Sequence, residues 1–147
     1  MADLTQLSAS EIAALLDNGG TTARAIAQTF LDRIGKTDTE IRVLNSVDAD
    51  FTLSLADAAD ARRKSGKTLG PLDGVPVALK DVIAVKDQPL TCSSRMLENF
   101  VSPYDAHVTE KLKAAGAVLL GRLNMDEFAM GSSTENSATG VTANPWD

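Results

Sequence analysis

The chain has 147 residues, 44% of them hydrophobic and 23% charged, a balance that excludes a disordered or fibrous protein and suits one domain of ordinary size. Its formal net charge of −6, with no basic run, argues against a direct, non-specific grip on nucleic acid. One cysteine, Cys92, excludes an internal disulfide and fits a reducing compartment.

Aromatic residues are only 4%, so a core must be built mainly from Ala, Val, Leu and Ile. Met1-Ala2-Asp3-Leu4 lacks the basic start and apolar run of a signal peptide, and no apolar stretch approaches the ~20 residues of a membrane span. The expectation is a soluble, cytoplasmic protein without membrane contact. Ser8-Ala9-Ser10-Glu11 is a capping-box pattern; Ile12, Leu15 and Leu16 follow at helical spacing, and Asn18-Gly19-Gly20 stops that helix. Thr21 or Thr22 caps a second helix with Ala23, Ile26, Ala27, Phe30, Leu31 and Ile34 on its apolar face, and Gly35 is expected to end it. Residues 41–47 alternate imperfectly and predict a strand. Residues 48–63 predict an Ala-rich helix with Leu53, Leu55, Ala56 and Ala59 inward, followed by a polar, Gly-rich connector over 65–74.

Residues 75–85 hold one or two strand segments around Lys80, in an apolar run expected to be buried on both faces. A short helix is expected over 94–99. Asp105 caps a longer one to about Ala115, and Gly116 closes it. Residues 117–121 predict a second buried strand and 125–130 a short helix, before a small, polar stretch over 131–140. Helices lead and strands then alternate with helices, which predicts a layered α/β/α architecture with a mixed sheet and the N-terminal helices packed outside. Residues 1–66 are the helical part and 67–147 the first part of the core, within one domain. The chain closes on Asn144-Pro145-Trp146-Asp147, a turn signal and not a frayed polar tail, and is expected to belong to a longer protein with an incomplete sheet here.

Most chemical motifs fail. Gly35-Lys36-Thr37 and Gly66-Lys67-Thr68 carry the end of a phosphate loop, but Phe30 and Ala61 stand where its first glycine is needed. One His (His107) and one Cys without ligand spacing exclude a recognisable metal site. There is no G-x-S-x-G elbow, no S-x-x-K motif, and no His placed for a Ser-His-Asp triad. Gly131-Ser132-Ser133-Thr134, taken alone, is an ordinary loop. Lys80 remains. A strand-end lysine normally keeps its ammonium in water. Here Pro76 and Ala78 on the same face leave room for a second group, while Asp81 points to the opposite face. If buried and unpaired, such a lysine loses proton affinity from ~10.4 toward the range of a general base.

Gly70-Pro71-Leu72-Asp73-Gly74-Val75-Pro76 followed by Lys80-Asp81 resembles the amidase signature family. The resemblance runs without a gap from about Leu69 to Asp147, through Pro103-Tyr104-Asp105-Ala106 and the run from Asn124 to Ser137. That last run, with Asn144-Pro145-Trp146-Asp147, resembles the branch formed by the A subunits of glutamyl-tRNA(Gln)/aspartyl-tRNA(Asn) amidotransferases. Val82 departs from the usual Asn, His107 from an apolar or small residue, and Asp87-Gln88-Pro89 from a Gly-rich turn.

The resemblance implies a Ser-Ser-Lys triad in which a neutral lysine takes a proton from a bridging serine. That serine activates the nucleophilic serine, and backbone N–H groups form the oxyanion hole. Lys80 matches the family lysine. The two serines belong to a Gly/Ser-rich segment that follows the Asn-Pro-Trp-Asp motif in the family; Ser132 and Ser133 match neither. Met130, Gly131, Ser132 and Ser133 are implied to lie near the substrate. The implied function is a glutaminase subunit that supplies ammonia to convert Glu-tRNA(Gln) or Asp-tRNA(Asn) to the amide. It would act within a heterotrimer with B and C subunits. The partner engages the misacylated tRNA and uses ATP and Mg, with no cofactor in the glutaminase subunit itself. The 147 residues alone are expected to be inactive. A stand-alone amidase acting on a small amide and a non-catalytic partner-docking piece are the alternatives.

Overall fold

Helix α1 (Ala9–Asp17) begins with the expected capping box: the Ser8 hydroxyl accepts the Glu11 N–H and the Glu11 carboxylate accepts the Ser8 N–H. Helix α2 (Ala23–Ile41) begins at Thr22, whose hydroxyl accepts the Ala25 N–H at 3.0 Å. It does not end at Gly35. An interior glycine costs only about 1 kcal/mol, and the stop chemistry lies further on. Arg42 adopts φ +60°, and the Asp38 carboxylate accepts the Val43 and Leu44 N–H groups at 2.8 and 3.3 Å. Helix α3 (Ala49–Lys64) is capped by Asp48, whose carboxylate accepts the Phe51 N–H. Arg62, Arg63 and Lys64 fall in its last turn, where the helix dipole favours positive charge. This computed structural model describes residues 3–146; Met1, Ala2 and the Asp147 of the closing motif lie outside the described residues.

Three strands form one sheet in the order β1-β3-β2: β1 (Leu44–Ser46), β2 (Pro76–Lys80) and β3 (Val118–Leu123). Strand β1 is shorter than the expected 41–47 because the end of α2 takes the residues before it. It pairs antiparallel with β3 and carries an irregularity between Leu44 and Ser46. The Val118 N–H donates to the Val75 carbonyl, and the Asp81 N–H to the Leu123 carbonyl. Both strands therefore advance in one direction, and the sheet is mixed. β3 is the buried strand, with Val118, Leu119, Leu120 and Arg122 inside. β2 is not buried on both faces as expected: only Leu79 is buried, Pro76, Val77 and Ala78 are half-buried, and Lys80 is exposed. Its place at the end of the strand order explains this, as does a proline at its first residue, where no ladder donor is required. Helix α4 (His107–Ala114) precedes β3 and is closed by Gly116 at φ +78°.

The chain forms two compact units. The first comprises the residues up to Ile34 with Asp48–Val77 and Lys111–Leu120. Its apolar core joins Ile12 and Leu16 of α1, Ala23, Ile26 and Ala27 of α2, Ala56 and Ala59 of α3, Val75 and Val118. Leu53 and Leu55 pack partly buried against this core; the α3 residues inside it are the alanines, with Thr52 buried beside them and bonded to the Leu119 carbonyl at 2.8 Å. Beside the core lies an ion pair. Asp73 has no solvent exposure and accepts Arg62 Nη2 at 2.6 Å, Arg62 Nε and the Leu69 N–H. Gly116 packs on this carboxylate so closely that a Cβ would stand 2.3 Å from its Oδ1. Burial alone would push the Asp73 carboxyl up, but these hydrogen bonds and the charges of Arg62 and Arg63 hold it below the usual range. The second unit comprises Gly35–Val47, Ala78–Glu110 and the residues from Gly121. Its interior is unusually polar: Asp81, Ser93, Ser94, Ser102, Thr109, Arg122 and Asp126 are all buried.

Candidate functional site

Every residue of the site lies in the second unit. Lys80 closes β2 with its side chain exposed, so the buried, unpaired lysine of the sequence reading is not found here. Strand alternation turns the next residue inward, and Asp81 is completely buried. Its carboxylate accepts Asn45 Nδ2 at 2.8 Å and the Thr91 hydroxyl at 2.5 Å, with Arg122 Nε at 3.4 Å. Its N–H donates to the Leu123 carbonyl, and its own carbonyl accepts the Cys92 N–H. The irregularity in β1 carries Asn45 into this network, where its amide also reaches Ser93 Oγ at 2.8 Å. The backbone that presents Lys80 is thereby fixed from several segments at once.

Arg122 is 4% exposed. Burial pulls its guanidinium below the usual value against the opposing attraction of Asp81. Nη2 donates to the Ile83 carbonyl, while Nη1 has no hydrogen-bond partner among the described residues. Cys92 lies near this pair. Burial and the Asp81 charge push its thiol up, which makes it a poor nucleophile.

Met130, Gly131, Ser132 and Ser133 are all exposed and form an outward rim. The residue that organises them is Asp126, 4% exposed, whose carboxylate accepts the N–H groups of Ser133, Thr134 and Asn136, each at 2.9 Å. The Asn136 and Thr134 N–H groups hold its carboxyl below the usual range against burial, and the Ser133 N–H and the Lys80 charge add to the effect.

Around them the backbone is strained. Cys92, Ser93, Phe128, Ala129 and Thr134 have φ between +50° and +63°, a region that costs non-glycine residues roughly 1–3 kcal/mol each and persists only where surroundings dictate it. Those surroundings are present. The Phe128 N–H donates to the Cys92 carbonyl, the Ala138 N–H to the Ser93 carbonyl, and the Ser94 hydroxyl to Glu127 Oε1 at 2.6 Å. Asn124 ties the same segments together, accepting from Ser93, Ser137 and Thr139 hydroxyls and donating to the Gly140 carbonyl. A polar cleft of ≈250 Å³ lined by Asn45, Thr91, Ser94, Arg95, Glu98, Ala138 and Thr139 opens on this network.

His107 begins α4 exposed, with Nδ1 3.6 Å from Glu110. Among the described residues no group of three or more His, Cys, Asp or Glu could hold a metal ion, and no helix is long and apolar enough to cross a membrane. Sequence reasoning singled out Lys80 and residues 130–133 but missed Asn45, Asp81, Asn124, Arg122 and Asp126. The one available signal was the alternation that turns Asp81 away from Lys80.

A family model described as Amidase matches residues 25–147. The chain is 55% identical over all 147 residues to the A subunit of the glutamyl-tRNA(Gln) amidotransferase of Thermobifida fusca, and those residues span 30% of that relative. Among solved structures, the A subunit of the glutamyl-tRNA(Gln) amidotransferase of Thermotoga maritima matches the whole chain and 29% of its own, at 35% identity and a TM-score of 0.77. The peptide amidase of Stenotrophomonas maltophilia matches 93% of the chain and 29% of its own, at 29% identity and a TM-score of 0.84.

Proposed function

The chain belongs to the amidase family, and from that premise we propose that it forms the lysine-bearing part of the glutaminase subunit of a tRNA-dependent amidotransferase. The observation that carries this reading is the 55% identity, sustained over every residue of the chain, to the corresponding subunit of that enzyme. Lys80 is the general base. Its neutral Nζ takes the proton of a bridging serine, which takes the proton of a second serine as that oxygen bonds to the amide carbon of glutamine. Ammonia then leaves with the returned proton, and water releases glutamate from the acyl-enzyme. Met130, Gly131, Ser132 and Ser133 line the amide. The serines and the oxyanion hole are supplied by residues beyond those of this chain, consistent with relatives of which it spans about 30%. Within a heterotrimer with B and C subunits, the ammonia passes to the partner subunit that activates the misacylated tRNA with ATP and Mg²⁺. No cofactor acts in this chain, and the assembly works in the cytoplasm.

The test is glutaminase activity in a full-length glutaminase subunit that carries these residues, in complex with its partners. Lys80→Met is expected to abolish turnover. The 147 residues alone are expected to release no ammonia. Retained turnover in Lys80→Met sinks the assignment of the base. The likeness to a peptide amidase favours one other reading, a stand-alone amidase on small amides. Hydrolysis of simple amides without partner subunits would select it.

A further inference from the structure

We propose that Asp126 is a positioning residue that presents the 130–133 rim to the amide substrate. This rests on the amidase reading above and extends it to a residue with no assigned role.

The geometry is that of a carboxylate with a loop wound around it. Three N–H donors, from Ser133, Thr134 and Asn136, converge on the two oxygens at 2.9 Å, two on Oδ2 and one on Oδ1. Asp126 is almost completely buried although it carries a charge, and these donors are what makes that burial tolerable. Gly131 passes so near that a Cβ there would lie 2.5 Å from the Asp126 Cγ, a spacing only glycine permits. Phe128, Ala129 and Thr134 hold left-handed φ values on either side. With its inner N–H groups bound, the loop exposes residues 130–133 outward in one conformation, which lowers the ordering cost of binding. The adjoining Glu127 carboxylate is engaged elsewhere, by the Ser94 hydroxyl at 2.6 Å.

The test is made by mutation in the full-length glutaminase subunit, in complex with its partners and assayed with glutamine. Asp126→Asn keeps the size, loses the charge and turns one acceptor into a donor facing N–H groups. It is expected to raise KM about tenfold or more, the equivalent of one charge-assisted hydrogen bond, and to lower kcat by less than about threefold. Gly131→Ala, which disturbs the loop but keeps the carboxylate, is expected to raise KM likewise. Unchanged KM in both Asp126→Asn and Gly131→Ala overturns the proposal. So does a parallel fall in kcat and melting temperature with KM unmoved, the mark of a merely structural residue. Lys80→Met serves as the control. An inactive Lys80→Met with an unaffected Asp126→Asn defeats this proposal alone, whereas an active Lys80→Met defeats the amidase reading beneath it.

Discussion

Asp73→Asn is the sharpest stability test of the first unit. The native carboxylate has no solvent exposure and receives Arg62 Nη2 at 2.6 Å, Arg62 Nε and the Leu69 N–H at 3.0 Å. The amide keeps one acceptor and turns its NH₂ toward donors. Breaking a buried pair from one side costs about 3–5 kcal/mol. Arg62 retains 27% side-chain exposure and can recover some hydration, so the lower end, about 3 kcal/mol, applies. For a chain of this length that corresponds to a fall of roughly 6–12 °C in melting temperature. Because the folded carboxyl lies below its usual value, the stabilisation is complete above about pH 4 and is lost as pH falls through the folded value. Urea denaturation of both proteins from pH 7 downward measures this, and the gap between them should close in acid. A melting temperature within about 2 °C of the parent at pH 7, or a gap that persists unchanged into acid, would refute the reasoning.

Gly35→Ala should raise the urea midpoint by an equivalent of about 1 kcal/mol, because Gly35 lies inside α2 with nothing near its missing Cβ. Arg122→Met should cost about 3–5 kcal/mol by leaving Asp81 buried without its cation, and adding Asp81→Asn should recover part of that loss. A double-mutant cycle by urea denaturation reads the coupling, and strictly additive costs would contradict a paired site.

What was legible in the sequence was whatever is decided within a few residues. Ser8 with Glu11, Thr22 and Asp48 start the helices where their hydrogen bonds are local. Gly35 misled because a glycine is only a weak stop, whereas Asp38 acts through a side chain whose target backbone lies beyond the helix. The exposure of β2 depended on strand order, which local pattern does not contain. Lys80 was visible as a charge ending an apolar run and as a family match. Its support was not visible: Asn45 and Arg122 reach Asp81 across 36 and 41 residues, distances at which a single sequence carries no pairing signal.

The alternation of chain segments between the two units has a consequence in time. The first unit needs Val118, and the stretch Lys111–Leu120 around it, to finish a core whose helices were synthesised long before. At ~5–20 residues per second, the ribosome takes a few seconds to travel from Val77 to Leu120. Through that interval the apolar faces of α1, α2 and α3 wait without their strand. A released chain that stops before Val118 should therefore be far more open to proteolysis than the 147-residue chain, which makes β3 the element whose arrival ends the vulnerable phase.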